Sequence, residues 1–168
     1  THKLAKGDPR FGVLLDGRHG MRALEAAADL PYWIGRPIEL PQSCPIEFDA
    51  ELNDVGAEIA SWPLNHTVKA LFLYHPDDPA DLRERQERQA LRLFDACRAT
   101  RHELLVEIIA SKNGAVDSKT VARAIQRFYD LGIRPDWWKL EPAADAETWA
   151  NIERAIIAND PHCRGVVL

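Results

Sequence analysis

The chain has 168 residues, 46% of them hydrophobic and 28% charged, which suits one soluble domain with a sizeable core. Its formal net charge of −5 argues against a general affinity for nucleic acid or anionic membranes. No apolar run approaches the roughly 20 residues that a membrane-spanning helix needs.

Taken in order, the chain opens on Thr1-His2-Lys3-Leu4-Ala5-Lys6, with no apolar core behind it, so no signal peptide is expected. The first residue is not Met, which suggests that position 1 is a boundary within a longer chain. Strand-like apolar runs follow at 11–15, 32–34, 68–74, 103–109, 137–140 and 164–168. Helical patterns lie between most of them. Short helices are expected at 21–29 and 55–60, with a loop over 41–54. The clearest helix is 79–99, with Leu82, Ala90, Leu93, Phe94 and Cys97 on one stripe and a solvated Arg/Glu face. Asp78-Pro79 reads as its N-cap and first-turn proline. A second long helix covers 117–131, with Val121, Ile125 and Phe128 inward and Gly132 as its stop. A third covers 144–159, with Trp149, Ile152 and Ile156 inward. No repeat or linker interrupts the pattern, so residues 1–168 form one domain.

Alternating strands and helices predict an α/β domain with a parallel sheet. A doubly wound sheet usually carries G-x-G-x-x-G at its first βα turn. Here that turn is Asp16-Gly17-Arg18-His19-Gly20. A (β/α)8 barrel places functional side chains at the C-terminal ends of many strands. That pattern fits Asp16, Arg36 and Glu39, Tyr74-His75-Pro76-Asp77, Ser111 and Glu141. Six strand candidates are too few for a closed barrel, so the expected architecture is an incomplete TIM barrel lacking two C-terminal βα units. A compact six-strand domain is the alternative.

Charges lie inside the apolar runs. Period-2 geometry puts Trp137, Lys139 and Glu141 on one strand face. Lys69 and Glu107 sit in two earlier strands. A buried charge is costly unless paired, and two lysines among carboxylates suit amine catalysis. One lysine favours the neutral form of its neighbour by like charge, and a neutral amine attacks carbonyls. Glu107 and Glu141 are candidate proton carriers. Bland readings compete. A strand lysine is often an edge residue, and Lys69 with Glu107 is equally well a structural ion pair. The tryptophans suit a core, His75 a cap, and residues 83–92 a solvated face. Arg18 and Arg36 suit either salt bridges or oxyanion binding. The cysteines Cys44, Cys97 and Cys163 are widely spaced and odd in number, without a C-x-x-C pair. A disulfide framework and a zinc site are therefore not expected, and a cytoplasmic location is.

These strands resemble those of the class I tagatose-1,6-bisphosphate aldolases. The carrying residues are Val68-Lys69 through Tyr74-His75-Pro76-Asp77, Leu104-Leu105-Val106-Glu107 and Lys139-Leu140-Glu141-Pro142. The last has one residue fewer before the proline than the family pattern. Gly17, after Asp16, departs from the family's usual glutamine. Over nearly the whole chain the sequence resembles the aldolase-like C-terminal domain fused to bacterial 5-dehydro-2-deoxygluconokinase, of myo-inositol catabolism. Its 132–142 segment, Gly-Ile-Arg-Pro-Asp-Trp-Trp-Lys-Leu-Glu-Pro, is the most specific match.

The resemblance implies a metal-independent Schiff-base aldolase without a cofactor. Its substrate would be a phosphorylated keto sugar acid, 2-deoxy-5-keto-gluconate 6-phosphate, cleaved to dihydroxyacetone phosphate and malonate semialdehyde. Lys139 would be the nucleophile, and Lys69, Glu107, Glu141 and Asp16 its catalytic partners. Arg18, Arg36, Glu39 and His75 would bind substrate. A phosphate site after strands 7 and 8 would lie outside this sequence, leaving the fragment alone inactive. A fused sugar kinase and a second copy of the chain are the expected protein partners. A non-catalytic sugar-phosphate-binding domain that stabilises the kinase, and an isomerase or epimerase, are the competing functions.

Overall fold

In the computed structural model, Asp8, residues 10–50 and residues 54–168 are described. The opening hexapeptide and part of the expected 41–54 loop lie outside them. Six strands form one parallel sheet in the order β1-β2-β3-β4-β5-β6. They are β1 Gly12–Leu14, β2 Trp33–Pro37, β3 His66–Phe72, β4 Leu104–Ile108, β5 Trp137–Leu140 and β6 Gly165–Val167. The helices are α1 Met21–Ala27, α2 Val55–Ala60, α3 Ala80–Thr100, α4 Thr120–Asp130 and α5 Ala146–Asn159. Every strand pairs with its sequence neighbours, without the order reversal of a doubly wound sheet. The sheet curls into a half-barrel.

β3 and β4 are buried along nearly their whole length, as both faces of a central parallel strand must be. Their outward residues Val68, Ala70, Phe72, Leu104, Val106 and Ile108 pack beneath the helices. Trp138 and Leu140 of β5 join them. Phe128 of α4 stands edge-on to Phe72, Tyr74 and Trp138, with centroids 5.5, 5.3 and 5.9 Å away. The alternate residues Lys69, Glu107 and Lys139 therefore point to the concave side.

Local chemistry explains two of the helix ends. At the end of α4, Gly132 takes φ +85, its N–H reaches Tyr129 O, and Ile133 N–H reaches Phe128 O. This is a Schellman stop. The same bond pattern ends α3, where Arg101 occupies the left-handed position at φ 63. Its side chain is exposed. Arg101→Gly should therefore raise stability by about 0.5–1 kcal/mol in urea unfolding, because glycine adopts this φ without a Cβ clash. A loss of stability would show that the arginine side chain contributes more than its backbone strain costs.

β3 runs over His66–Phe72, two residues earlier than the expected 68–74, and three further expectations need correction. β2 runs on to Pro37 instead of ending at Ile34. Pro37 is tolerated there because its missing N–H faces the β1 side, where pairing has already ended at Gly35. Asp78 does not cap α3, since Pro79 is the N-cap residue and the Asp78 carboxylate instead accepts from His75 N at 2.8 Å. The 83–92 stretch is not wholly solvated. Gln86 is fully buried, accepting from Ile46 N and donating to Leu73 O. Glu87 is also buried, accepting from Tyr74 Oη at 2.8 Å and from Arg127 at 2.7 and 2.9 Å. Burial alone would raise the Glu87 carboxyl, but Arg127 and Tyr74 hold it below the usual range. Burial and the same bond push the Tyr74 phenol up.

Candidate functional site: a lysine–carboxylate chain on the concave face

Parallel register sets the site. Glu107 lies directly across from Lys139, and Lys69 pairs with Leu105, one pleat below Glu107. The Glu107 carboxylate bridges both lysines. One oxygen accepts from Lys139 Nζ, and the other lies 2.7 Å from Lys69 Nζ. On its far side Lys69 donates to Glu39 Oε1 at 2.6 Å. Glu39 follows β2, anchored by a bridge between Glu39 and Phe48. The result is a chain of four charged groups, Glu39–Lys69–Glu107–Lys139.

Exposure is graded along this chain. The side chains of Glu39, Lys69 and Glu107 are 8, 9 and 10% exposed, whereas that of Lys139 is 24% exposed. Lys139 is thus the most exposed member of the chain. Burial pushes the Glu107 carboxyl up, but hydrogen bonds from Lys139 and Lys69 outweigh it and hold the group below its ordinary value. At neutral pH Glu107 is a carboxylate flanked by two donors.

The other site candidates occupy different surroundings. Glu141 sits two residues beyond Lys139 and accepts from Ala110 N at 2.9 Å, Ser111 N at 3.1 Å and Ser111 Oγ. This loop clamp fixes its carboxylate at the rim. Asp16 accepts from His19 N at 2.6 Å and Arg18 N at 2.9 Å, and those amides, led by His19, lower its pKa. Its carboxylate shapes the β1–α1 turn. Arg18 makes a two-pronged pair with Asp49, both bonds at 2.7 Å. Arg36 shares the outward face of β2 with Ile34, stacks 4.0 Å over Trp62 and lies 3.9 Å from Glu58. Period-2 geometry places it on the opposite face from Lys69 and Glu107. The His75 ring accepts from Asp77 N through Nδ1, so Nε2 carries the proton and donates to Ala115 O at 3.0 Å. Both of its nitrogens hold loops together.

Sequence reasoning missed two parts of this arrangement. Asn113 donates to Leu73 O and Asp78, tying the loops that follow β3 and β4. The Tyr74–Glu87–Arg127 network lies behind the sheet. Neither carries a sequence signal beyond a polar residue at an ordinary position. An apolar cleft of about 400 Å³ between β1 and α1 is lined by Val13, Leu15, Ala23 and Tyr32 among others. It is the part-filled groove of an edge strand and contains no charged group. The buried charged groups of the concave face lie at the lysine chain instead.

The class defined so far is an α/β half-barrel carrying paired lysines and carboxylates at its concave face. The chain belongs to a bacterial family described as "Uncharacterized protein conserved in bacteria (DUF2090)", whose model matches residues 1–168. No curated protein matches the chain. Among the described residues, no helix is long and apolar enough to cross a membrane.

Proposed function

We propose that this half-barrel is an incomplete (β/α)8 barrel of the Schiff-base aldolase type, acting on a phosphorylated keto sugar acid. The observation that carries the reading is the shared Glu107 carboxylate, which joins a nearly buried lysine to a more exposed one. Lys139 is the nucleophile because it is the reachable end of the chain. It gives a proton to Glu107 and attacks the substrate ketone as an amine. A carbinolamine forms, and Glu107 returns protons to the departing oxygen. Two nitrogen protons leave on water, and a protonated imine remains. That imine accepts the electron pair of the breaking C–C bond. Lys69 keeps its charge throughout and orients Glu107. Glu141, held by Ser111, is the rim carboxylate nearest along β5 and suits a substrate hydroxyl. The sequence resemblance supports 2-deoxy-5-keto-gluconate 6-phosphate as substrate, with dihydroxyacetone phosphate and malonate semialdehyde as products.

The test is borohydride reduction of the full-length protein in the presence of dihydroxyacetone phosphate, read by peptide mass. The expected result is one adduct, on Lys139, that Lys139→Met abolishes. An unlabelled Lys139 sinks the Schiff-base role. A second reading, a sugar-phosphate-binding domain without catalysis, draws support from the complete pairing of Lys69 between two carboxylates, as in a structural ion network. Ligand binding that survives Lys139→Met, with no cleavage by the wild type, would favour it.

A further inference from the structure

Glu39 stands at the deep end of the chain, and its geometry is lopsided. Oε1 accepts from Lys69 Nζ at 2.6 Å, while Oε2 is buried without a hydrogen-bond partner among the described residues. A half-satisfied buried carboxylate is expensive, and an apolar side chain would fill the same volume at lower cost. We infer that Glu39 is a positioning residue whose negative charge keeps Lys69 protonated and thereby sets how readily Glu107 and Lys139 exchange a proton. This rests on the lysine-nucleophile reading above.

The charge balance explains why Glu39 is needed. With both carboxylates ionised and both lysines protonated, the four groups are neutral as a set. When Lys139 gives its proton to Glu107, an N–H bond breaks and an O–H bond forms. Lys139 becomes an amine and Glu107 an acid. Lys69 then loses the charge of one of its two counterions. Glu39 remains as the other, so the set stays neutral and no buried ammonium is stranded. Without Glu39, the undivided charge of Lys69 would act on Glu107 and oppose its protonation. The remaining neighbours do not alter this balance. β6 presents Val167 opposite Lys139, without charge. Glu141, on Lys139's own strand, adds a negative charge that the 110–111 loop holds in place whichever group carries the proton.

A charge ladder tests the inference without requiring aldolase activity. Lys139 is labelled with propanal and cyanoborohydride across a pH series, and the Lys139 peptide is quantified by mass spectrometry. Glu39→Gln leaves the set with one excess positive charge. Its labelling profile should move to lower pH by about one unit, about tenfold in rate on the rising limb. Lys69→Met leaves one excess negative charge and should move the profile to higher pH. The Glu39→Gln/Lys69→Met double variant is neutral again and should return close to the wild type. If the Gln variant fails to fold, Lys69→Met and the double variant still decide the matter. Profiles that superimpose, or that all move in one direction, overturn the inference. A wild type labelled by propanal but not by dihydroxyacetone phosphate would sink the aldolase reading and leave the ladder to be judged by itself.

Discussion

Glu107→Ala should destabilise the domain by about 3–5 kcal/mol, the cost of removing one partner from a buried ion pair. Here the loss is doubled in kind. The variant leaves Lys69 with Glu39 alone and leaves Lys139 without the carboxylate directly opposite it. Two ammonium groups then share one sheet face with no acceptor between them. Urea unfolding at pH 7 measures the effect, and a shift below about 1 kcal/mol would show that solvent replaces the carboxylate. The penalty should also depend on pH. The Glu107 carboxyl is held below its ordinary 4.5 in the folded protein. Its contribution to stability is therefore fully present above that ordinary value and is lost as the pH falls through the lower folded value. The gap between wild type and variant should shrink on acidification below pH 4.5, and a gap independent of pH would contradict the assignment.

Phe128→Ala should cost a similar amount, about 3–5 kcal/mol, for a different reason. Phe128 is fully buried and touches three aromatic rings edge-on, from β3, the loop two residues beyond it, and β5. Truncation removes the contacts and leaves a cavity that three rigid rings cannot close. Phe128→Leu keeps most of the volume and should cost less than about half as much. Equal losses for alanine and leucine would mean that the edge-on geometry, not the filled volume, carries the energy. Since Phe128 packs on the helix side of the sheet, neither variant should change which lysine borohydride traps.

The fold was largely legible because its signals are local. β5 is the 137–140 run read from the sequence, and α2 is the 55–60 pattern, since both are bounded by turn chemistry. Gly132 stops α4 for a reason that one residue's φ contains. β2 was read too short because Gly35 and Pro37 are poor strand formers by themselves. Only the early end of β1 makes a proline at 37 harmless. Gln86 and Glu87 were read as solvated because an Arg-rich helix turn looks exposed from its composition. Their burial depends on Ile46, Leu73, Tyr74 and Arg127, which lie far along the chain.

The candidate site divides in the same way. From the sequence alone came the charges inside apolar strands and, by period-2 geometry, the shared face of Lys139 and Glu141. Which charges meet was decided by parallel register, a nonlocal quantity. It set Glu107 across from Lys139, brought Lys69 to the other Glu107 oxygen, and added Glu39 from the loop after β2. It also put Arg36 on the face opposite Lys69 and Glu107, whereas Asp16 is tied into its own turn by local bonds and His75 is tied to a loop 40 residues away. The reason is physical. A strand's own pattern tells which residues share a face, but only the neighbouring strands determine what stands opposite them and how much water is left between.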